Sequence, residues 1–179
     1  RTGSGGSVPS NNLNKYHYHS PAPEVLMGLN SSLRYKQIDF SFSGRFSLEN
    51  YVYNNVLSGA TYSAIYVQSG FFGNVPKDLD KVRFVNPQYW SDHFVENAPF
   101  FKMDNISIGY NFDQLMTKKL KARLSFTVQN AFIVTDYSGI DPEVNNTSLV
   151  NGIVQSNPGI DNNIYPRPRV FLVGVNLTY

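Results

Sequence analysis

Apolar and polar residues alternate with a period of two through most of the readable sequence. In the run Ile38–Glu49, the residues Ile38, Phe40, Phe42, Phe46 and Leu48 share one phase, and Asp39, Ser41, Ser43, Arg45, Ser47 and Glu49 the other. Side chains on a strand point alternately to its two faces, so this run predicts a strand with one apolar and one wet face. Four further runs repeat the pattern. Val25–Lys36 sets Val25, Met27, Leu29, Leu33 and Tyr35 against Asn30, Ser32, Arg34 and Lys36. Asn105–Asp113 sets Ile106, Ile108, Tyr110 and Phe112 against Asn105, Ser107, Gly109 and Asn111. Lys121–Phe132 sets Ala122, Leu124, Phe126 and Val128 against Arg123, Ser125, Thr127 and Gln129. Val170–Tyr179 sets Phe171, Val173, Val175, Leu177 and Tyr179 against Gly174, Asn176 and Thr178. The five runs predict an all-β, antiparallel fold, with a short helix as the reading for Asn55–Val67.

The connections differ sharply in length. Lys36-Gln37 separates the first two strands and a short turn around Gln114–Leu120 the third and fourth, whereas Asn50–Pro99 and Thr135–Arg169 are long and rich in Asn, Gly, Pro and aromatics. Loops beyond about 15 residues are uncommon in compact domains and are usually functional. Short turns at one end and long loops at the other match a transmembrane β-barrel. A strand the length of Ile38–Glu49, at about 3.3 Å per residue and a tilt of about 45°, rises roughly 28 Å, close to the apolar band of such a barrel.

Charge placement agrees with that reading. Arg34, Lys36, Asp39, Arg45, Glu49, Lys121 and Arg123 fall on the polar phase, which a barrel turns to its lumen. Lys102, Asp104 and Arg169 fall on the apolar phase at the loop-side ends of their strands and read as rim residues. Aromatics gather at both ends: Tyr35, Tyr110, Phe112 and Tyr179 towards the short turns, and Tyr51, Tyr53, Phe100, Phe101, Phe132 and Phe171 towards the long loops. Two interfacial girdles predict this distribution. A soluble or secreted β-sandwich that binds carbohydrate through its loop aromatics is the alternative, since sandwiches also alternate. Five strands cannot close a barrel, whose smallest forms need about eight, so the other strands are expected from residues outside this chain.

Composition narrows the function classes. Aromatics are 15% of the 179 residues and charged residues only 16%, against the roughly 25% charged of ordinary globular chains. No run approaches the about 20 apolar residues of a helical membrane span. There is no cysteine, which excludes disulfides, thiolate metal sites and thiol catalysis. A net charge of +2 gives no pointer to nucleic acid. The first twenty residues lack the apolar stretch of a secretory signal.

Several long segments, in order, resemble the C-terminal part of SusC/RagA-type TonB-dependent outer-membrane transporters. They are YHYHSPAPEVLMGLNSSLRYKQIDFSF at 16–42, NYVYNN at 50–55, SDHFVENAPFFKMDNISIGYNF at 91–112, VQNAFIVTDYSGIDPEV at 128–144 and GIDNNIYPRPRVFLVGVNLTY at 159–179. The similarity covers about Tyr16 to Tyr179; residues 1–12, RTGSGGSVPSNN, fit either native loop or linker. The resemblance implies the last five strands of a plugged barrel of about 22 strands in the outer membrane of a Gram-negative bacterium. On that reading residues 1–24 form an extracellular loop, and residues 25–179 the terminal strands with extracellular loops at 50–99 and 135–168. Arg34, Lys36, Asp39, Arg45, Glu49 and Arg123 would line the lumen against the plug. Phe171, Val173, Val175, Leu177 and Tyr179 would form the C-terminal signal read by the assembly machinery, or simply a last strand with an interfacial Tyr. The family imports nutrients, mostly glycan oligosaccharides and sometimes peptides. Its partners are a SusD-like surface lipoprotein lid and an inner-membrane TonB complex that supplies energy. A porin without energy coupling would differ by lacking a plug and TonB-contacting segment.

The residues that carry other chemistry are few. His17 and His19 can present both imidazoles on one strand face, but no third ligand lies near them in sequence, and surface histidines fit as well. Asp136, Asp141, Glu143 and Asp161 share one long loop without EF-hand spacing, so a polar exposed loop is the simpler reading than a calcium site. Nothing in their spacing supports a glycosidase pair. The chain has no Gly-rich phosphate loop, no G-x-S-x-G and no H-E-x-x-H, and the expectation is a non-enzyme with neither cofactor nor metal. Tyr62, Tyr66, Phe71, Phe72, Tyr89 and Trp90 lie in the long loop Asn50–Pro99. Three roles are open to them: packing the loop, contacting a lid protein and contacting substrate.

Overall fold

The computed structural model describes residues 16–59, 75–77, 79–113, 120–150 and 153–178. Five strands form one antiparallel sheet: β1 (Val25–Tyr35), β2 (Ile38–Leu48), β5 (Phe100–Phe112), β6 (Lys121–Thr135) and β10 (Val170–Thr178), in that spatial order. These are the five strands that the alternation predicts, and β5 and β6 run further towards the loops than expected. Between them lie β3 (Tyr51–Asn54), β4 (Val95–Asn97), the hairpin β7 (Asn145–Val150) and β8 (Ile153–Pro158), and β9 (Ile160–Asp161). The helix expected over Asn55–Val67 is a single turn, α1 (Asn55–Ser58), which starts where the Asn54 side chain accepts from the Leu57 amide; residues 60–67 lie outside the described set. A second turn, α2 (Leu79–Val82), and a 3₁₀ turn at Asp92–Phe94 complete the elements. No helix among the described residues is long and apolar enough to cross a membrane.

Tyr35 faces Ile38, so Lys36 and Gln37 alone make the turn between β1 and β2. Lys36 takes φ +51, and the Gln37 carbonyl accepts from both the backbone and side-chain nitrogens of Asn111 on β5. That pair of bonds ties the hairpin end to its neighbour. The turn around Gln114–Leu120 falls at 114–119 outside the described residues.

Register determines what the two faces carry. Leu33, Phe40, Ile108, Phe126 and Val173 stand opposite one another in turn across all five strands. Tyr35, Ile38, Tyr110, Leu124 and Val175 form the next row, and Ser31, Phe42, Ile106, Val128 and Phe171 the row on the other side. The first of these rows is 66, 36, 47, 42 and 72% exposed. A soluble core would bury it; here nothing among the described residues covers it.

Two single-residue insertions alter the loop-side half. Ser43 faces Asn105 but Gly44 faces Met103, so Asp104 is an extra residue in β5 relative to β2. Asn105 faces Gln129 but Met103 faces Phe132, so β6 gains a further residue at Asn130–Ala131. Asn130 adopts φ +50, which asparagine tolerates better than most residues. An odd insertion exchanges the faces of everything beyond it. Phe101 and Met103 therefore join the apolar face, where Phe101 stacks on Phe46 at 4.4 Å. Phe100 and Lys102 turn to the other side and are buried. This corrects the sequence reading of Lys102 as a rim residue on the apolar phase and of Phe100 as part of a girdle.

The long loops are not separate excursions. β3 is the middle strand of a small sheet, antiparallel to β4 of its own loop and parallel to β9 of the other. Val52, Ala98, Tyr137 and Val144 bury together between the loops, with Ile164 packed against them. Asn50 donates to the Ala98 carbonyl at 2.7 Å and accepts from Ser47 Oγ at 3.1 Å. Gly159, at φ +75, donates to the Val144 carbonyl and accepts from the Tyr53 amide. A Cβ there would sit 2.3 Å from Pro21, so the junction requires glycine on both counts.

Candidate functional site

The polar face of the five-stranded sheet carries charge at its two ends and hydroxyls and amides between. At the short-turn end Asp39 on β2 accepts from Arg123 on β6, with Nη2 to Oδ2 at 2.5 Å and Nε to Oδ1 at 3.2 Å. These two strands are not neighbours; β5 runs between them. The side chains meet over Gly109, where a Cβ would lie 2.6 Å from Asp39 Oδ2 and 2.7 Å from Arg123 Nη2. Asn111 adds a third bond to Asp39 at 2.9 Å. In the middle, Ser107 and Thr127 share a hydrogen bond of 2.8 Å, and Asn105 donates to Ser43 at 3.2 Å. Asn30, Ser32, Ser41, Ser43 and Asn105 line a cavity of about 350 Å³ here.

At the loop end a single carboxylate gathers three cations. Glu143 lies 2.9 Å from Arg45 on β2, 2.8 Å from Lys102 on β5 and 3.0 Å from Arg167 in the segment before β10. Arg45 also meets Asp104, the inserted residue, at 3.3 Å. The Lys102 side chain is only 5% exposed, so its ammonium depends on Glu143 for compensation. An inward turn at Asp104 thus supplies the cation that fastens the loop to the sheet.

Above the sheet the paired loops form a polar network. The Tyr137 hydroxyl donates to Asp161 at 2.7 Å. Burial, reinforced by that carboxylate, pushes the phenol well above its usual range. Asn54, fully buried, donates to Glu96 at 3.0 Å and Ser138 at 3.1 Å, and Ser138 returns two bonds to Glu96.

The other face of β3 carries Tyr51 and Tyr53. His19 stacks on Tyr51 at 3.7 Å with an interplanar angle of 1°, and Tyr18 meets His19 edge-on at 4.2 Å. Trp90 stacks on Tyr53 at 5.8 Å and 9°, and its backbone amide donates to the Tyr53 hydroxyl at 2.8 Å. Tyr16, edge-on to Tyr18, donates to Asp92. That hydrogen bond holds the Asp92 carboxyl below its usual range.

The residues singled out in the sequence separate accordingly. Asp39 and Arg123 come together, as do Arg45 and Glu143, while Arg34 faces Asp39 across β1 and β2. Lys36 lies over the Tyr35 ring at 5.4 Å, and Glu49 sits in the bend after β2 at φ +58. Phe171, Val173, Val175 and Leu177 are on the apolar side of β10, all exposed, and Tyr179 lies outside the described residues. Tyr89 and Trp90 are exposed; Tyr62, Tyr66, Phe71 and Phe72 lie outside the described residues, as do residues 1–12. His19 is engaged by aromatic rings, and no group of three metal-ligating side chains occurs among the described residues. Asp141 caps the Glu143 amide at 2.9 Å and Asp161 the Asn163 amide at 2.9 Å. Sequence reasoning missed the role of Lys102, whose only signal is the broken alternation in Phe100–Asn105, and the Tyr137–Asp161 bond.

Known proteins place this arrangement. The chain is 41% identical to the TonB-dependent receptor SusC of Bacteroides thetaiotaomicron over 92% of its own length. The chain belongs to the TonB-dependent receptor family. This receptor segment is also 30% identical, over 89% of its length, to TonB-dependent receptor P3 of Formosa agariphila. It spans 16% of SusC and 17% of P3. Among solved structures it superimposes on the RagAB peptide importer in the closed-closed state with a TM-score of 0.65 at 17% identity, covering 90% of the segment and 18% of that chain. The open-open state gives 0.64 at 18% identity, covering 90% and 18%. No family model matches the sequence. The segment's fold is mostly β and antiparallel, and its five-stranded sheet is open, with β1 and β10 at its edges among the described residues.

Proposed function

We propose that the chain forms the last five strands of a large plugged barrel, of about 22 strands, that imports nutrients across a Gram-negative outer membrane. The observation that carries this is the apolar face, continuous across all five strands and exposed in the chain itself. Hydrocarbon is the environment that such a face requires, and closure by further strands is what its free edges require. The face opposite, with Asp39, Arg45 and Arg123, lines the lumen and meets the plug. The two interlocked loops lie on the extracellular side, under a SusD-like lipoprotein. TonB supplies the energy, and the cargo is an oligosaccharide, with peptide as the second possibility suggested by the RagAB likeness. The segment needs no catalytic group for this task.

The test uses the whole transporter. It should fractionate with detergent-solubilised outer membrane, and uptake of labelled oligosaccharide should stop when TonB or the lipoprotein is removed. Recovery in the soluble fraction would sink the barrel, and uptake indifferent to TonB would leave a porin.

A further inference from the structure

The ladder between β6 and β10 stops short of the end of β6. Val170 facing Gln129 is its last pair, yet β6 continues to Thr135. The segment before Val170 reads Pro166-Arg167-Pro168-Arg169, and proline has no N–H with which to extend a ladder. Asn130, at φ +50, instead donates its side-chain amide to the Pro168 carbonyl at 3.0 Å. Beside that bond a cavity of about 160 Å³ opens between the end of β6 and this segment.

The lining carries three cations, Lys102, Arg167 and Arg169, and one carboxylate, Asp141. Lys102 and Arg167 share Glu143, and Asp141 accepts from the Glu143 amide. Arg45, which also reaches Glu143, has Asp104 as a second partner. Arg169 is exposed and has no ion-pair partner among the described residues. The cavity therefore keeps one positive charge unanswered. Phe132, Ile133 and Ile140 add apolar surface next to it.

We infer that this cavity binds a monoanionic carboxylate, with its head on the Arg169 guanidinium and its body against Ile133 and Ile140. A guanidinium offers a planar fork that matches the two oxygens of a carboxylate. Phosphate fits the fork too, but near neutral pH it brings up to two charges, more than the cavity leaves unanswered. Glu143 cannot fill the role itself, because three other cations already hold it. The site is independent of the import reading, since every residue it uses lies in the described chain and none of them needs an energised barrel.

The experiment uses the complete transporter in detergent, titrated by saturation-transfer NMR with benzoate and glucuronate, with the uncharged amide of each, and with inorganic phosphate. Arg169→Gln removes the partner of the head without touching the Glu143 anchor. Arg169→Lys keeps the charge without the fork, and Arg83→Gln removes an exposed charge elsewhere. At least one carboxylate should bind, and its amide should bind at least about tenfold more weakly. Arg169→Gln should lower the affinity for that carboxylate about tenfold, Arg169→Lys should fall between, and Arg83→Gln should match wild type. Equal affinity in wild type and Arg169→Gln would overturn the site, as would equal binding of acid and amide, or binding of neither carboxylate. Phosphate bound more tightly than both carboxylates would overturn the ligand class. Protease cleavage within 136–168 should be unchanged in Arg169→Gln; faster cleavage together with lost binding would make Arg169 a brace for the loop and would also overturn the site. Outer-membrane fractionation of the same variants tests the barrel separately, because none of these substitutions should alter it.

Discussion

The assignment of the apolar face to hydrocarbon can be tested by depth along one strand. Ile108 stands in the middle row of the sheet, flanked by Phe40 and Phe126, whereas Phe112 ends β5 on the same face. Four residues at about 3.3 Å, tilted about 45°, separate them by about 9 Å along the membrane normal. An arginine at mid-membrane costs about 2–4 kcal/mol and one near the interface about 0–1. Ile108→Arg should therefore be worse than Phe112→Arg by about 2–3 kcal/mol, a difference of roughly 30- to 150-fold in the folded-to-unfolded ratio. Ser107→Asn, one residue from Ile108 on the polar face, should cost no more than its bond to Thr127, about 0.5–1.5 kcal/mol. The assay is the folded fraction of the complete transporter in phosphatidylcholine vesicles as urea is raised. Equal shifts for the two arginine variants would refute a hydrocarbon gradient. A defect in Ser107→Asn as large as in Ile108→Arg would refute the face assignment.

Glu143→Gln should loosen the long loop at 136–168, because it strands Lys102 in a dry site. The expected cost is about 3 kcal/mol, the low end for a broken buried pair since Arg45 and Arg167 keep access to water; the check is protease cleavage within the loop, unchanged cleavage being the contrary result. The Tyr137 phenol is raised above its ordinary 10.0. A raised pKa means that the folded state holds the proton more tightly, so its stabilisation is complete below about pH 10 and is lost as pH climbs further. Amide exchange around 137–161 should accordingly quicken above about pH 10 beyond the intrinsic base-catalysed rise, and Tyr137→Phe should remove that excess.

Much of this could be read from the residues. The five long strands follow from alternation, and so do their faces outside the loop-side half of β5, because a half-exposed sheet writes its period directly into side-chain polarity. The Lys36-Gln37 turn was equally legible. What escaped was non-local. Lys102 reads as apolar-phase because parity is counted from Ile106 backwards, and Asp104 breaks the count without a glycine or proline to mark it. The small sheet of β3, β4 and β9 escaped because strands of two to four residues carry too few positions to show a period. Glu143 was noticed as one loop carboxylate among four; only the fold reveals that three cations converge on it. Asp39 and Arg123 were each assigned to the wet face, but their meeting depends on register and on Gly109 offering no side chain between them.

The parallel pairing of Tyr53 with Ile160 and Asn54 with Asp161 stitches together stretches of chain more than a hundred residues apart. Such a seam ties the described parts of the two flaps to each other. A push on either flap is shared with the other, and the force reaches the five-stranded sheet through the Glu143 anchor. A protease nick in one flap would leave its severed ends still attached to the other. Variation in this part of the molecule is thereby coupled, since neither flap can be rebuilt without refitting its counterpart.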